Sequence, residues 1–142
     1  LQGMVNEFAL GLNRPIVGHG LGTSGEAKYN NGQKRQAAHN LYAELLVEIG
    51  SIGLIIFLAY IKAIYDIFRK NRGVISKAVR RVSPQQSGYY KRLNLALTTV
   101  FWMYVVYSIN YYGLSVYYWY LFGGLTIAFG RVVQRKLEAG LV

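Results

Sequence analysis

The chain has no cysteine, two histidines, two prolines and six acidic residues among its 142 positions. The absence of cysteine excludes a disulfide framework, a thiolate metal site and a cysteine nucleophile. The first residues lack the methionine and the basic segment with which a secretory signal peptide begins. We therefore expect the sequence to be a piece of a longer polypeptide.

Apolar and aromatic residues, in contrast, are abundant. The chain is 53% hydrophobic and contains thirteen tyrosines and two tryptophans, whose rings favour membrane interfaces. The net charge of +10 is compatible with nucleic-acid binding. The cations, however, cluster between and after apolar segments, which is the pattern of a membrane protein.

Three apolar segments predict three transmembrane helices, over residues 42–68, 93–112 and 114–133. The first has an apolar part from Leu45 to Ile61 that carries one charge, Glu48. The second and third predict an antiparallel hairpin, whose tyrosine-rich turn we interpret as an aromatic belt or, alternatively, a sugar-stacking surface. The predicted fold class is an all-α integral membrane protein, a fragment of a larger polytopic bundle.

The distribution of cations predicts the orientation in the membrane. Eight lysines and arginines and no acid lie within residues 69–92. The positive-inside rule places this basic loop in the cytoplasm, together with the tail at residues 134–142. Residues 1–41 are then extracytoplasmic. Nucleic-acid binding by the basic loop is the competing hypothesis, which this membrane pattern disfavours.

The extracytoplasmic part divides into three segments. Residues 1–12 have the apolar spacing of a short amphipathic helix, and residues 24–38 form a polar loop without periodicity. Between them, the glycine turn at residues 18–22 has glycine at alternate positions. We interpret it as a tight turn, or alternatively as a cradle for an anion such as phosphate.

Two stretches resemble the O-antigen ligase/polymerase superfamily. They are NRPIVGHGLG at residues 13–22 and HNLYAELLVEIGSIG at residues 39–53. The family pattern combines an N-P-[apolar]-x-G-x-G-x-G turn with an H-N-x-Y-x-x-x-x-x-E-x-G-x-x-G segment that enters a span. Arg14, inserted between Asn13 and Pro15, and His19, within the turn, depart from this pattern.

The resemblance implies a polytopic glycosyltransferase of the bacterial inner membrane. Such enzymes transfer a glycan from undecaprenyl diphosphate to lipid A-core, to another glycan or to protein, on the extracytoplasmic face. They use neither a sugar nucleotide nor a required metal. The resemblance also implies diphosphate-binding arginines in the parent polypeptide before Leu1, so this stretch alone is expected to be inactive.

The same resemblance assigns candidate site residues. His39 is the candidate base that deprotonates the acceptor hydroxyl, because imidazole titrates near neutral pH. Glu48 has two possible roles. It orients another site residue, His39 or an arginine of the parent polypeptide, or it pairs with a polar group to support helix packing. Candidate substrate-binding residues are Asn40 and Tyr42. Independently of the resemblance, the charge pair Lys34 and Arg35 on the polar loop either contacts an anionic substrate or is simply solvated.

Gly50 and Gly53, at small-residue spacing, predict close contact between helices. The alternative function is a non-enzymatic membrane protein, such as a transport or surface-polysaccharide assembly subunit.

Overall fold

In the part of the chain that the computed structural model describes, regular structure is entirely α-helical. The described residues are 8–30, 32, 40–79, 83–110 and 117–138. Residues 8–11 form one helical turn. Four helices follow: α1 Ser24–Asn30, α2 Leu41–Ala78, α3 Pro84–Tyr107 and α4 Tyr118–Glu138. The predicted all-α class is confirmed at this level.

Helix α2 is long and apolar enough to cross a membrane. In the described part of the chain it is the one helix that meets both conditions. The predicted span at residues 42–68 lies within it, but α2 continues to Ala78.

The segments predicted as loops are partly helical. Residues 69–78 extend α2, and residues 84–92 form the start of α3, so much of the predicted basic loop at 69–92 is helix. The reason is packing, because Phe68, Ile75 and Ala78 are buried at helical spacing beneath the exposed cations. Helix α1 likewise occupies part of the predicted polar loop at 24–38, where Ala27 is buried.

The chain divides into two compact units. The first unit comprises residues 1–59 and 105–116, and the second comprises residues 60–104 and 117–142. In the first, Leu10, Ala27 and Val47 form a small apolar core. This core brings the first helical turn and α1 against the beginning of α2.

In the second unit, α2, α3 and α4 pack around an apolar core. The core consists of Ile75, Ala78, Phe129, Val133 and Leu137, with Val74, Tyr90, Leu93 and Leu97 packed against it. Aromatic rings continue the contact between α3 and α4, since Tyr104 meets both Trp119 and Phe122. The two helices predicted as a hairpin therefore touch, although α3 ends at Tyr107 rather than at residue 112.

Candidate functional site

The candidate site begins at a break in helix α2. Gly50 has a φ of 72° and a ψ of −166°, a conformation that essentially only glycine adopts. An unbroken helix would bond the N–H groups of Ser51 and Ile52 to the carbonyls of Val47 and Glu48. The break leaves these four backbone groups without their helical partners, so they need others.

Residues 15–20, which include the beginning of the glycine turn, supply all four missing partners. The N–H groups of His19 and Gly20 donate to the carbonyls of Val47 and Glu48, at 2.8 and 2.9 Å. In return, the carbonyls of Pro15 and Ile16 accept from Ser51 and Ile52, at 2.7 and 3.4 Å. The turn and the broken helix thus form one hydrogen-bonded assembly.

The carboxylate of Glu48 is enclosed by the same turn. Its side chain is 5% exposed and accepts hydrogen bonds from the N–H groups of Gly22, at 2.9 Å, and Ser24, at 3.3 Å. Two N–H donors balance part of the cost of burying this charge. The turn therefore binds an anionic group of its own chain, which favours the tight turn over a phosphate cradle.

The contacts of His19 determine which ring nitrogen carries its proton. Nδ1 lies 3.1 Å from the carbonyl oxygen of Val47, which can only accept. Nδ1 is therefore protonated, and the lone pair of the neutral ring lies on Nε2. His19 is a turn residue, as the sequence indicated, and it also caps the broken end of α2.

Asn40 and Tyr42 hold the beginning of α2 in place. The Asn40 side-chain oxygen accepts from the N–H groups of Tyr42 and Ala43, at 2.9 and 3.1 Å, which makes Asn40 the N-cap. The Tyr42 hydroxyl donates to the Val105 carbonyl at 2.9 Å. The Leu41 N–H donates to the Ser108 carbonyl at 3.0 Å. Both predicted substrate-binding residues thus have structural contacts.

The remaining predicted site residues lie outside the described part of the chain. These are His39, Lys34 and Arg35. Their roles, and that of Glu48 in catalysis, stay predictions. The described residues contain no group of three or more histidine, cysteine, aspartate or glutamate side chains arranged to hold a metal ion.

Sequence reasoning identified the turn and Glu48 separately but missed that they are partners. It also missed the reciprocal bonds between the turn and the break in α2. The alternating glycines at Gly18, Gly20 and Gly22, all with positive φ, were the signal for the turn. No local signal identifies a partner that lies 26 residues further along, as Glu48 does from Gly22.

The chain was compared with known proteins in three ways. It matched no protein-family model, no curated protein and no solved structure.

Proposed function

We propose that the chain is part of a bacterial membrane glycosyltransferase of the O-antigen ligase or polymerase type. The whole enzyme transfers a glycan from undecaprenyl diphosphate to a lipid A-core, glycan or protein acceptor. The reaction takes place at the extracytoplasmic face of the inner membrane.

One observation carries this proposal. The two stretches that resemble the superfamily, residues 13–22 and 39–53, are separated along the chain but bonded to each other. Four backbone hydrogen bonds join them at the Gly50 break, and Glu48 accepts one more from the N–H group of Gly22. Turn and helix segment are therefore parts of one site, which supports reading them as a single motif.

Exposed apolar side chains support the membrane location. Large hydrophobic residues face outward on the three long helices, including Ile55 and Ile56 on α2, Leu95 and Met103 on α3, and Leu121 on α4. Exposed apolar side chains on each of these helices suit lipid contact. We propose three spans, formed by α2, α3 and α4, with residues 1–41 outside the cytoplasm.

In the proposed reaction His39 is the base. Its imidazole accepts the proton of the acceptor hydroxyl while that oxygen attacks the anomeric carbon of the glycan. The bond from this carbon to the diphosphate oxygen breaks, and undecaprenyl diphosphate leaves. Lys34 and Arg35 offer positive charge to the diphosphate.

The decisive experiment replaces His39 by alanine in the chromosomal gene that encodes the chain, in its own bacterium. Loss of a general base costs roughly 10²–10⁴-fold, so surface glycan should almost disappear from gels while the protein level stays normal. The matched control is His19→Asn, which removes an imidazole but keeps an N–H near the Nδ1 position. Full activity of His39→Ala overturns the mechanism, and equal loss in both variants indicates a shared structural role.

The orientation has its own test. Because the chain has no cysteine, a single introduced cysteine is a clean reporter. Tyr29 on α1 and Val79 after α2 are both exposed. In intact spheroplasts Tyr29→Cys should react with a membrane-impermeant maleimide, and Val79→Cys should react only after lysis. The reverse pattern contradicts the proposed topology.

A further inference from the structure

In the described part of the second unit, nine exposed cations lie toward one end of the helices. They lie on the last part of α2, the beginning of α3 and the last part of α4. We call them the basic collar: Arg69, Lys70, Arg72, Lys77, Lys91, Arg92, Arg131, Arg135 and Lys136.

The core of this unit places the collar residues at one end of the three helices. Ile75 and Ala78 of α2 share a cluster with Val133 and Leu137 of α4, and Leu93 of α3 packs against it. The collar cations lie on the same helical segments as these core residues.

Among the described residues, the collar cations are not paired with acids. Among the described residues of this unit, the ion pair present joins Lys62 and Asp66, and neither belongs to the collar. No collar side chain has an ion-pair partner among the described residues. The collar thus presents a concentrated positive field to whatever lies beside it.

Exposed apolar residues lie among these cations. Val132 directly follows Arg131, and Leu95 is one turn from Arg92. Both apolar side chains are exposed. Aliphatic groups beside cations match the boundary between lipid headgroups and acyl chains. A nucleic-acid backbone offers such aliphatic groups no partner.

We propose that the basic collar binds the headgroups of anionic phospholipids in one leaflet of a bilayer. Guanidinium groups can bond phosphate oxygens in pairs, and lysines contribute point charges. The exposed aliphatic residues contact the adjoining acyl chains. This lipid preference is independent of glycan transfer, so it stands or fails separately from the proposed function.

The test measures lipid preference directly. The chain is reconstituted in phosphatidylcholine bilayers that contain trace spin-labelled phosphatidylglycerol or spin-labelled phosphatidylcholine. Electron spin resonance then gives the fraction of each label that is immobilised by the protein. We expect phosphatidylglycerol to be preferred about fivefold in low salt, and the preference to fall at high salt as screening shortens the range of the field.

Two variants with the same change in net charge make the test specific. Arg131→Gln with Arg135→Gln removes two collar cations, and Arg14→Gln with Lys62→Gln removes two exposed cations outside the collar. The collar variant should lose most of the preference and the control variant should keep it. Equal effects of the two variants, or no preference in the unchanged protein, overturn the proposal. The proposal is also overturned if the protein binds duplex DNA tightly and the collar variant loses this DNA binding but keeps the lipid preference.

Discussion

The backbone of Gly18 lies directly against the backbone of Gly50, with no room for a side chain at either position. A Cβ atom on Gly18 would lie 2.7 Å from the nitrogen of Gly50, and the reverse distance is the same. A Cβ on Gly50 would also collide with the carbonyl oxygen of Ile16. Both glycines have positive φ. This contact, rather than the predicted helix-to-helix contact, explains glycine at position 50.

Gly50→Ala should therefore destabilise the first unit severely. The strained backbone alone costs about 1–3 kcal/mol, and the collision with Ile16 adds to it. The measurement is the free energy of unfolding in detergent micelles. The matched control is Gly73→Ala, a helical position of α2 with open space around it. There alanine should stabilise by about 0.5–1 kcal/mol, and similar effects at both positions would contradict the packing described.

Glu48→Ala should expose the N–H groups of Gly22 and Ser24 to exchange. Ser24 is buried, and a buried donor left without an acceptor costs about 1–3 kcal/mol. Glu48→Gln keeps one side-chain oxygen and should cost less. Hydrogen–deuterium exchange at residues 22 and 24 is the readout. Asp66→Ala, which removes an exposed ion pair with Lys62, should cost about 0.5 kcal/mol or less. Unchanged exchange at both amides in Glu48→Ala would show that Glu48 does not hold the turn.

The His19 tautomer can be read by nuclear magnetic resonance. With ¹⁵N-labelled histidine, neutral His19 should show a protonated Nδ1 and an unprotonated Nε2, because Nδ1 donates to the Val47 carbonyl. The opposite assignment would exclude this hydrogen bond. In parallel, His19→Asn, whose amide N–H approximates Nδ1, should be more stable than His19→Gln by about 0.5–1.5 kcal/mol, the value of one hydrogen bond.

Asn71 in the second unit should be replaceable by leucine with a gain in stability. Its side chain is 0% exposed, and neither of its polar atoms has a hydrogen-bond partner among the described residues. Asn71→Leu should raise the free energy of unfolding by about 1–3 kcal/mol. Asn94→Leu is the comparison and should gain less, because the Asn94 amide donates to the Phe68 carbonyl at 3.4 Å. Destabilisation by Asn71→Leu would indicate a buried polar partner, such as a water molecule.

The candidate site was predictable only in part. The alternating glycines identified a turn at residues 18–22, and the run from His39 to Gly53 marked the segment that enters the apolar helix. Asn40 caps α2 through bonds to residues 42 and 43, a local role that an asparagine before a helix could have indicated. The role of Tyr42 could not be predicted, because its hydroxyl donates to the Val105 carbonyl, 63 residues away. A backbone carbonyl carries no residue-specific signal that sequence reasoning can use.

Local sequence properties by themselves determined the helical class, the glycine turn and the long apolar helix. Each follows from interactions between residues a few positions apart, namely apolar periodicity, side-chain volume and the φ range open to glycine. Tertiary structure decided the rest. The break in α2 at Gly50 persists because the distant residues 15–20 replace the lost hydrogen bonds. The buried carboxylate of Glu48 is bound by the N–H groups of Gly22 and Ser24. The helical continuation through residues 69–78 likewise depends on burial of Ile75 and Ala78 against α4, a contact that no local pattern contains.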